Sequence, residues 1–370
     1  MKRHLLFLLF CLSLLAFAGC SKTGQTLPQE ATTRSEEEIT REILEAGLNT
    51  DGTLKDYKSS DLIKKLATYK GLKIPRDEVR VSEKDVEEQV KTILTEYTEV
   101  KKIKNRKIKK GDIVHLSYNI RVDGELIPEE RVRDRDIVIG SGAFETLEQG
   151  IIGKKPRKKR YSVDYTMPDP YENNPSLSGK DVVLRVKIKY ILETKEPKLN
   201  DKFVRENMEE TYHVSTVKEW KAALRKKMRR ERKGQYVMTV LMKRTKFEGL
   251  PHELVDDCVN RYVLQVKNTA KANGISFQDY LKQAHYANEE AMRKTVRSMC
   301  REEARICLMV DEIASKEKIS VTEQDLEDYF AVGDVTLDKL REFYPDPYLY
   351  RQALNLKVRD YVIDQSVEKK

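Results

Sequence analysis

The chain has 370 residues, of which 39% are hydrophobic and 35% are charged, as in a globular protein with a densely charged surface. Its 70 Lys and Arg are mixed among 61 Asp and Glu, so the net charge of +9 argues against a nucleic-acid-binding protein, which gathers its bases on one face. No CxxC motif or paired Cys/His spacing occurs, so a metal centre and a disulfide scaffold are unsupported. We expect Cys258, Cys300 and Cys307 to be buried free thiols.

The first twenty residues form a charged and apolar leader. Lys2, Arg3 and His4 precede an apolar run from residue 5 to residue 18, which is too short to span a bilayer as a mature helix. Small residues directly before Cys20 resemble a bacterial lipoprotein cleavage site. Residues 1–19 are therefore predicted to be a lipoprotein signal peptide, and Cys20 the site of lipid attachment. The alternative is an ordinary signal peptide that happens to end near a cysteine.

Lipidation would place the protein outside the cytoplasm, anchored to the bacterial cell membrane. Residues 20–60 are predicted to be a polar tether, because the segment from Ser21 to Glu38 shows no apolar periodicity. Residues 61–100 are predicted to contain a linker helix that packs with the C-terminal domain. Ser82 and Asp85 have the spacing of a capping box at the start of this helix.

Residues 101–195 show the alternation of a β-sheet. Apolar residues alternate with polar ones from residue 113 to residue 122, and Asp123-Gly124 is typical of a tight hairpin turn. Further strands are predicted at 136–139, 160–165 and 180–192, with a short helix at 143–152. This order predicts an α+β domain in which one short helix covers a curved antiparallel sheet.

Short motifs along this segment resemble an FKBP-type prolyl isomerase domain. They include Lys110-Gly111-Asp112-Ile113-Val114, Ile139-Gly140-Ser141-Gly142-Ala143-Phe144 and Gly150-Ile151-Ile152-Gly153-Lys154. The flanking Tyr69-Lys70-Gly71-Leu72 and Leu199-Asn200-Asp201-Lys202-Phe203 are similar to trigger factor. That chaperone family places an FKBP-like domain ahead of a helical region that cradles its substrates.

The resemblance implies an apolar, aromatic-walled pocket that binds a proline and favours the twisted amide of the transition state, without a metal or cofactor. Carried over by position, the pocket residues are Tyr118, Ile127, Ile139, Phe144, Leu147, Tyr171 and Leu184. Ile127 and Leu147 stand where the family has aromatic residues. We therefore expect the peptidyl-prolyl cis-trans isomerase activity to be weak or absent. About half of these residues have a simpler interpretation as core residues of a small domain.

Two basic segments flank this domain, Lys101 to Lys110 and Lys154 to Arg160. One interpretation is an electrostatic contact with an anionic surface or with acidic segments of unfolded proteins. The other is a solvated strand edge, where lysines block unwanted pairing.

Residues 196–370 are predicted to form an all-helical, trigger-factor-type C-terminal domain. Thr216 and Glu219 have the spacing of a capping box, and Pro251, Asn288 and Thr322 mark further helix starts. The segment Leu250-Pro251-His252-Glu253-Leu254-Val255 is similar to the C-terminal region of trigger factor. The resemblance implies helical arms around a broad cavity that shields unfolded segments.

These features predict an extracytoplasmic, membrane-tethered folding factor that binds unfolded or newly exported polypeptides. No ATP or other cofactor is expected, since the sequence has no P-loop, and nucleic acid is not an expected partner. The ribosome is not expected either, because the ribosome-docking domain of trigger factor has no counterpart here. The alternative is a surface lipoprotein that uses the same fold to bind one specific peptide or wall ligand. A parvulin-type isomerase fits the strand and turn motifs poorly.

Overall fold

The computed structural model of the protein describes residues 34–172, 174–331 and 335–369. The leader and Cys20 lie outside these residues, so the signal peptide and the lipid attachment stay predictions. In chain order, the helices are α1 (Glu36–Glu45), α2 (Ser59–Leu62), α3 (Glu83–Glu96), α4 (Glu145–Ile151), α5 (Asp201–Asn207), α6 (Glu209–Tyr212), α7 (Val217–Arg244), α8 (His252–Ala272), α9 (Phe277–Gln283), α10 (Glu289–Glu317), α11 (Glu323–Phe330), α12 (Leu337–Arg341) and α13 (Asp346–Asp364). The strands are β1 (Ile63–Lys65), β2 (Lys73–Ile74), β3 (Glu99–Ile103), β4 (Ile113–Val122), β5 (Glu125–Val138), β6 (Tyr161–Thr166), β7 (Asp181–Lys195), β8 (Lys246–Phe247) and β9 (Val367–Glu368).

The chain is a mixed α+β protein, as expected, and it divides into two compact units. The sheet unit is Glu87–Asn207, and the helical unit combines the described residues up to Val86 with those from Met208 onward. In the described part of the chain, no helix is both long enough and apolar enough to cross a membrane.

Strand β7 organises the sheet unit. It pairs along one side with β4, and along its other side with β6 near its start and β3 near its end. Strand β4 continues into β5 through Asp123-Gly124, where both residues have positive φ (49° and 87°). A two-residue turn of this kind matches the twist of paired strands, so the predicted hairpin is confirmed. The predicted strand 136–139 is the end of the much longer β5.

The core of the sheet unit lies between the sheet and α4. Alternate β4 residues, among them Val114, Leu116 and Ile120, are buried against Leu147 and Ile151 of the helix. The helix packs directly on β6, because a Cβ atom at Gly150 would lie only 2.5 Å from Cγ1 of Val163. A larger residue at position 150 would force the two elements apart.

The helical unit is built on three long helices, α7, α8 and α10, of 28, 21 and 29 residues. Thr216 caps α7 with the predicted capping box, and Asn288 and Thr322 cap α10 and α11. The unit also contains two short strand pairs, β1 with β8 and β2 with β9. The region from residue 196 onward was predicted to be all-helical, so β8 and β9 are additions to that prediction. The thiols of Cys258, Cys300 and Cys307 are free and buried.

The predicted polar tether does not extend to residue 60. Ser35 begins α1 with a capping box, and Leu48 and Leu54 are buried in one cluster with α8 and α10. Within the Glu-rich sequence of α1, Leu44 is buried and its neighbour Ile43 is half-buried, whereas Ile39 is exposed. Residues 36–60 are therefore folded against the helical unit, because its core supplies the apolar partner that this segment lacks alone.

Glu317, near the end of α10, accepts hydrogen bonds from three donors of the helical unit. Lys70 Nζ lies 2.8 Å from its carboxylate, and the hydroxyls of Tyr69 and Tyr361 both donate to it. The hydrogen bonds from Lys70, Tyr361 and Tyr69 lower the pKa of Glu317 to about 2, from an ordinary value of 4.5. These hydrogen bonds connect the segment before β2 to helices α10 and α13.

We expect the stability of the helical unit to decrease as the pH falls from 4.5 towards about 2, in part because Glu317 becomes protonated. The pKa of Glu317 is lower in the folded state than in the unfolded state. Its contribution to stability is therefore complete above pH 4.5 and is lost as the pH falls towards about 2. Urea midpoints measured from pH 7 to pH 2 should show a shallower acid dependence in Glu317→Gln than in the original chain. The exposed Glu342→Gln is the control, and an unchanged acid slope in Glu317→Gln would contradict the assignment.

Candidate functional site

The seven candidates for the prolyl pocket lie in one apolar cluster between the sheet and α4. Four of them, Tyr118, Ile139, Leu147 and Leu184, are buried in the core of the unit. The other three, Ile127, Phe144 and Tyr171, are partly exposed at the edge of the same cluster. The fold therefore brings all seven together, but only the last three are partly open to solvent. Their role in binding proline stays a prediction.

Charged side chains contact both of the partly exposed aromatic residues. The guanidinium carbon of Arg135 lies 4.4 Å from the centroid of the Phe144 ring. The Tyr171 hydroxyl donates a hydrogen bond of 2.9 Å to Oε2 of Glu130. Burial raises the pKa of Tyr118, and the charge of nearby Arg135 opposes that shift. A proline ring that stacked on Phe144 would have to displace Arg135, whose contact with the ring is worth about 0.5–1 kcal/mol at an exposed site.

The floor of the cluster is aliphatic. Leu147 is 1% exposed and packs beside Ile151 of the same helix. An aromatic ring at this position would add stacking worth roughly 0.5–1.5 kcal/mol beyond its buried area.

Glu148 holds the loop that carries Phe144, and its role was not predicted from the sequence. Its carboxylate accepts hydrogen bonds from the backbone N–H groups of Gly140 (2.7 Å), Gly142 (3.2 Å) and Phe144 (3.1 Å), and from the Ser141 hydroxyl (2.9 Å). Burial alone would raise the pKa of Glu148, but these hydrogen bonds lower it below its usual value. The sequence signal is a glutamate six residues after Gly140-Ser141-Gly142, at the end of the first turn of α4.

A separate shallow depression of about 570 Å³ also lies in the sheet unit. The β4–β5 turn, Thr146, Tyr165 and Asp181 contribute to its lining, and none of the seven pocket candidates does. Among the described residues, no group of three or more His, Cys, Asp or Glu side chains is placed to hold a metal ion.

The apolar stripes of the helical unit are mostly core. Trp220 and Leu224, on the predicted stripe of α7, are buried, and so are Val296 and Ile313 of α10. An exposed exception is Phe343, which follows α12 and is 60% exposed. Single exposed apolar residues are ordinary on protein surfaces, so Phe343 alone does not mark a binding site.

Comparisons with known proteins relate the chain to one group. Residues 207–332 match the model of the bacterial trigger factor protein C-terminus. The chain is 28% identical over 269 residues to the trigger factor of Halothermothrix orenii, covering 71% of this chain and 61% of that protein. It is 28% identical over 300 residues to the trigger factor of Caldicellulosiruptor bescii, covering 77% and 67%. The chain thus spans 61% to 67% of the length of these curated relatives.

A solved structure is described as "Promiscuous Substrate Recognition in Folding and Assembly Activities of the Trigger Factor Chaperone". The alignment with it covers 80% of this chain and 70% of the chain in that structure. Its sequence identity is 17% and its TM-score is 0.28, which is too low to support an argument about this chain.

Proposed function

We propose that this trigger factor-like chain is a folding factor that holds unfolded polypeptides and has little or no prolyl isomerase activity. The observation that carries the proposal is the match of residues 207–332, which lie in the helical unit, to the C-terminus of trigger factor. Relatives named trigger factor align over more than 70% of the chain, which supports the same assignment.

The cluster between the sheet and α4 argues against efficient catalysis. An isomerase of this kind lowers a barrier of about 18–20 kcal/mol by enclosing a twisted amide in apolar walls. Here Leu147 is an aliphatic floor within the core, and Arg135 covers the ring of Phe144. The side chains that would have to enclose a proline are therefore largely part of the core that stabilises the sheet unit.

The location is proposed from the leader alone. The charged start, the apolar run and the small residues before Cys20 favour export and lipid attachment, so the substrates would be newly exported polypeptides. Mass spectrometry of the mature N-terminus tests this directly. A diacylglyceryl group on Cys20 is expected, and an intact leader or an unmodified Cys20 would contradict it.

The holding function is tested with a chain that lacks residues 1–19 and carries Cys20→Ser, which retains every described residue. We expect near-stoichiometric amounts to suppress aggregation of an unrelated unfolded protein. The slow, proline-limited refolding of a second protein should stay on its uncatalysed scale of roughly tens to hundreds of seconds. Light scattering and tryptophan fluorescence of the two substrates are the measurements.

Phe144→Ala is the matched variant, because it alters the predicted pocket and leaves the helical unit unchanged. If the original chain accelerates refolding and the Phe144→Ala variant does not, the pocket is catalytic. Failure to suppress aggregation would overturn the folding-factor proposal and leave binding of one specific ligand as the better explanation.

A further inference from the structure

The two basic segments of the sequence lie side by side in the sheet unit. The backbone N–H of Ile108 donates to the carbonyl of Lys154, and the N–H of Gly153 donates to the carbonyl of Ile108, both at 2.9 Å. Residues 104–110 and 154–160 fall outside the strands, so protection of a strand edge applies only to Lys101 and Lys102 on β3. Residues 104–110 and 154–160 are called the basic patch below.

The basic patch is exposed and almost free of acidic partners. Its first segment exposes Lys104, Lys107, Lys109 and Lys110. Its second segment exposes Lys154, Lys155, Lys158 and Lys159. Among the described residues, carboxylates form ion pairs in this patch only with Arg106, whose partners are Asp112 and Glu193. The remaining charge is therefore available to an external anion.

Helix α7 gives an internal comparison, since it is also strongly basic. Carboxylates of the helical unit form ion pairs with Arg225, Arg229, Arg230, Arg232 and Lys233. Among the described residues, five basic side chains of α7 thus have carboxylate partners, whereas in the basic patch only Arg106 has them. The general excess of lysine and arginine does not explain this difference.

The second segment of the patch is held in one conformation. The Arg157 guanidinium stacks 3.6 Å from the centroid of the Tyr161 ring, and the Tyr161 hydroxyl donates to the carbonyl of Lys155 at 2.8 Å. A segment fixed in this way loses less conformational entropy when it binds a partner. Ile152, which directly precedes the paired backbone at Gly153, is 43% exposed and places an apolar side chain beside the lysines.

We propose that the basic patch binds the anionic headgroup surface of a phospholipid membrane, with Ile152 at the interface. Exposed ammonium groups spread over two adjacent segments suit an extended layer of phosphates better than one small anion. The combination of many exposed lysines with an adjacent exposed apolar side chain, and not Ile152 alone, favours a lipid interface over an acidic polypeptide. The physiological role rests on the proposed membrane tether, because a lipid chain and a polybasic patch together make the two signals that stable attachment requires.

The test uses the chain without residues 1–19 and with Cys20→Ser, so that no lipid anchor contributes. Co-sedimentation with vesicles of phosphatidylcholine and phosphatidylglycerol is compared with pure phosphatidylcholine vesicles. We expect binding only to the anionic vesicles, weakening as salt is added. The patch variant changes Lys154, Lys155, Lys158 and Lys159 to glutamine and should bind on the order of a thousandfold more weakly.

The matched control changes Lys218, Lys243, Lys246 and Lys294 of the helical unit to glutamine, which removes the same charge from exposed positions. It should bind nearly as well as the original chain. Equal losses in both variants, equal binding to uncharged vesicles, or tighter binding to soluble polyglutamate than to anionic vesicles would each overturn the proposal. Circular dichroism verifies that both variants are folded. Suppression of aggregation should persist in the patch variant, which separates this proposal from the folding-factor proposal.

Discussion

Replacing Arg351 with leucine is expected to lower the free energy of unfolding of the helical unit by about 3–5 kcal/mol, because it removes one partner of a buried ion pair. Arg351 lies in α13, is 3% exposed and forms an ion pair with Asp311 of α10. Its guanidinium also donates to the carbonyls of Cys307 (3.1 Å) and Gly52 (3.4 Å). Leucine would leave the Asp311 carboxylate and both carbonyls without this donor.

The segment around Gly52 depends on the same contact. The Asp311 carboxylate accepts a hydrogen bond of 2.7 Å from the backbone N–H of Leu54. Gly52 has a φ of +79°, and a Cβ atom there would lie 2.3 Å from the backbone nitrogen of Arg351. The loop is thus packed against the backbone of α13, and Arg351 joins three parts of the unit that are distant in sequence.

Urea unfolding followed by tryptophan fluorescence measures this effect, because Trp220 is the single tryptophan of the chain and is buried in the helical unit. Arg341→Leu is the control. Its ion pairs with Glu323 and Asp346 are at the surface, so the expected loss is within about 1 kcal/mol. Comparable losses in the two variants would contradict the prediction. The double variant Arg351→Met with Asp311→Leu should recover part of the stability, since the Asp311 charge is no longer buried without a partner, but the Leu54 N–H and the two carbonyls still lose theirs.

Replacing Glu148 with alanine is expected to destabilise the sheet unit by about 3 kcal/mol and to release the loop from Gly140 to Phe144. The carboxylate is the shared acceptor for three backbone N–H groups and one hydroxyl in that loop. Alanine provides no acceptor, so these donors must find water or remain unsatisfied. Hydrogen exchange across residues 139–148 and thermal unfolding are the two measurements.

Glu145→Ala is the matched control, because Glu145 is exposed on the same helix and accepts only from Gln149 among the contacts described. It should leave exchange in the loop unchanged, and equal exchange in the two variants would show that Glu148 does not hold the loop. The lowered pKa of Glu148 adds a dependence on pH. Its contribution is complete above the ordinary glutamate pKa and is lost as the pH falls through the lower native value.

Local signals explain the elements that were predicted correctly. Ser82 and Asp85 form the expected capping box, with hydrogen bonds of 3.2 and 2.7 Å in the two directions. The start of α8 differs by one residue, since Pro251 is the cap and His252 the first helical residue. Each of these features depends on residues a few positions apart, so the chain specifies them before any tertiary contact forms.

Elements without such signals were missed. Most of β5 before residue 136 is charged and exposed, and it becomes a strand because its backbone pairs with β4. Helices α1 and α12 are short, so packing against the helical unit decides their existence more than their own periodicity does. The predicted domain limits of 101 and 195 lie inside the compact unit Glu87–Asn207, whose α5 follows the last strand.

Local sequence patterns were sufficient to predict the leader, the periods of the strands and long helices, their caps and the hairpin turn. The apolar residues that meet between the sheet and α4 were also predicted correctly as a group. Which charges are paired became clear from the three-dimensional arrangement of the chain. Three examples are the ion pair of Arg351 with Asp311, the hydrogen bonds of Glu148 to its loop, and the basic patch, in which few charges are paired. The free energy of a charge depends on its burial and on its neighbours in space, and those neighbours are often far apart in the sequence.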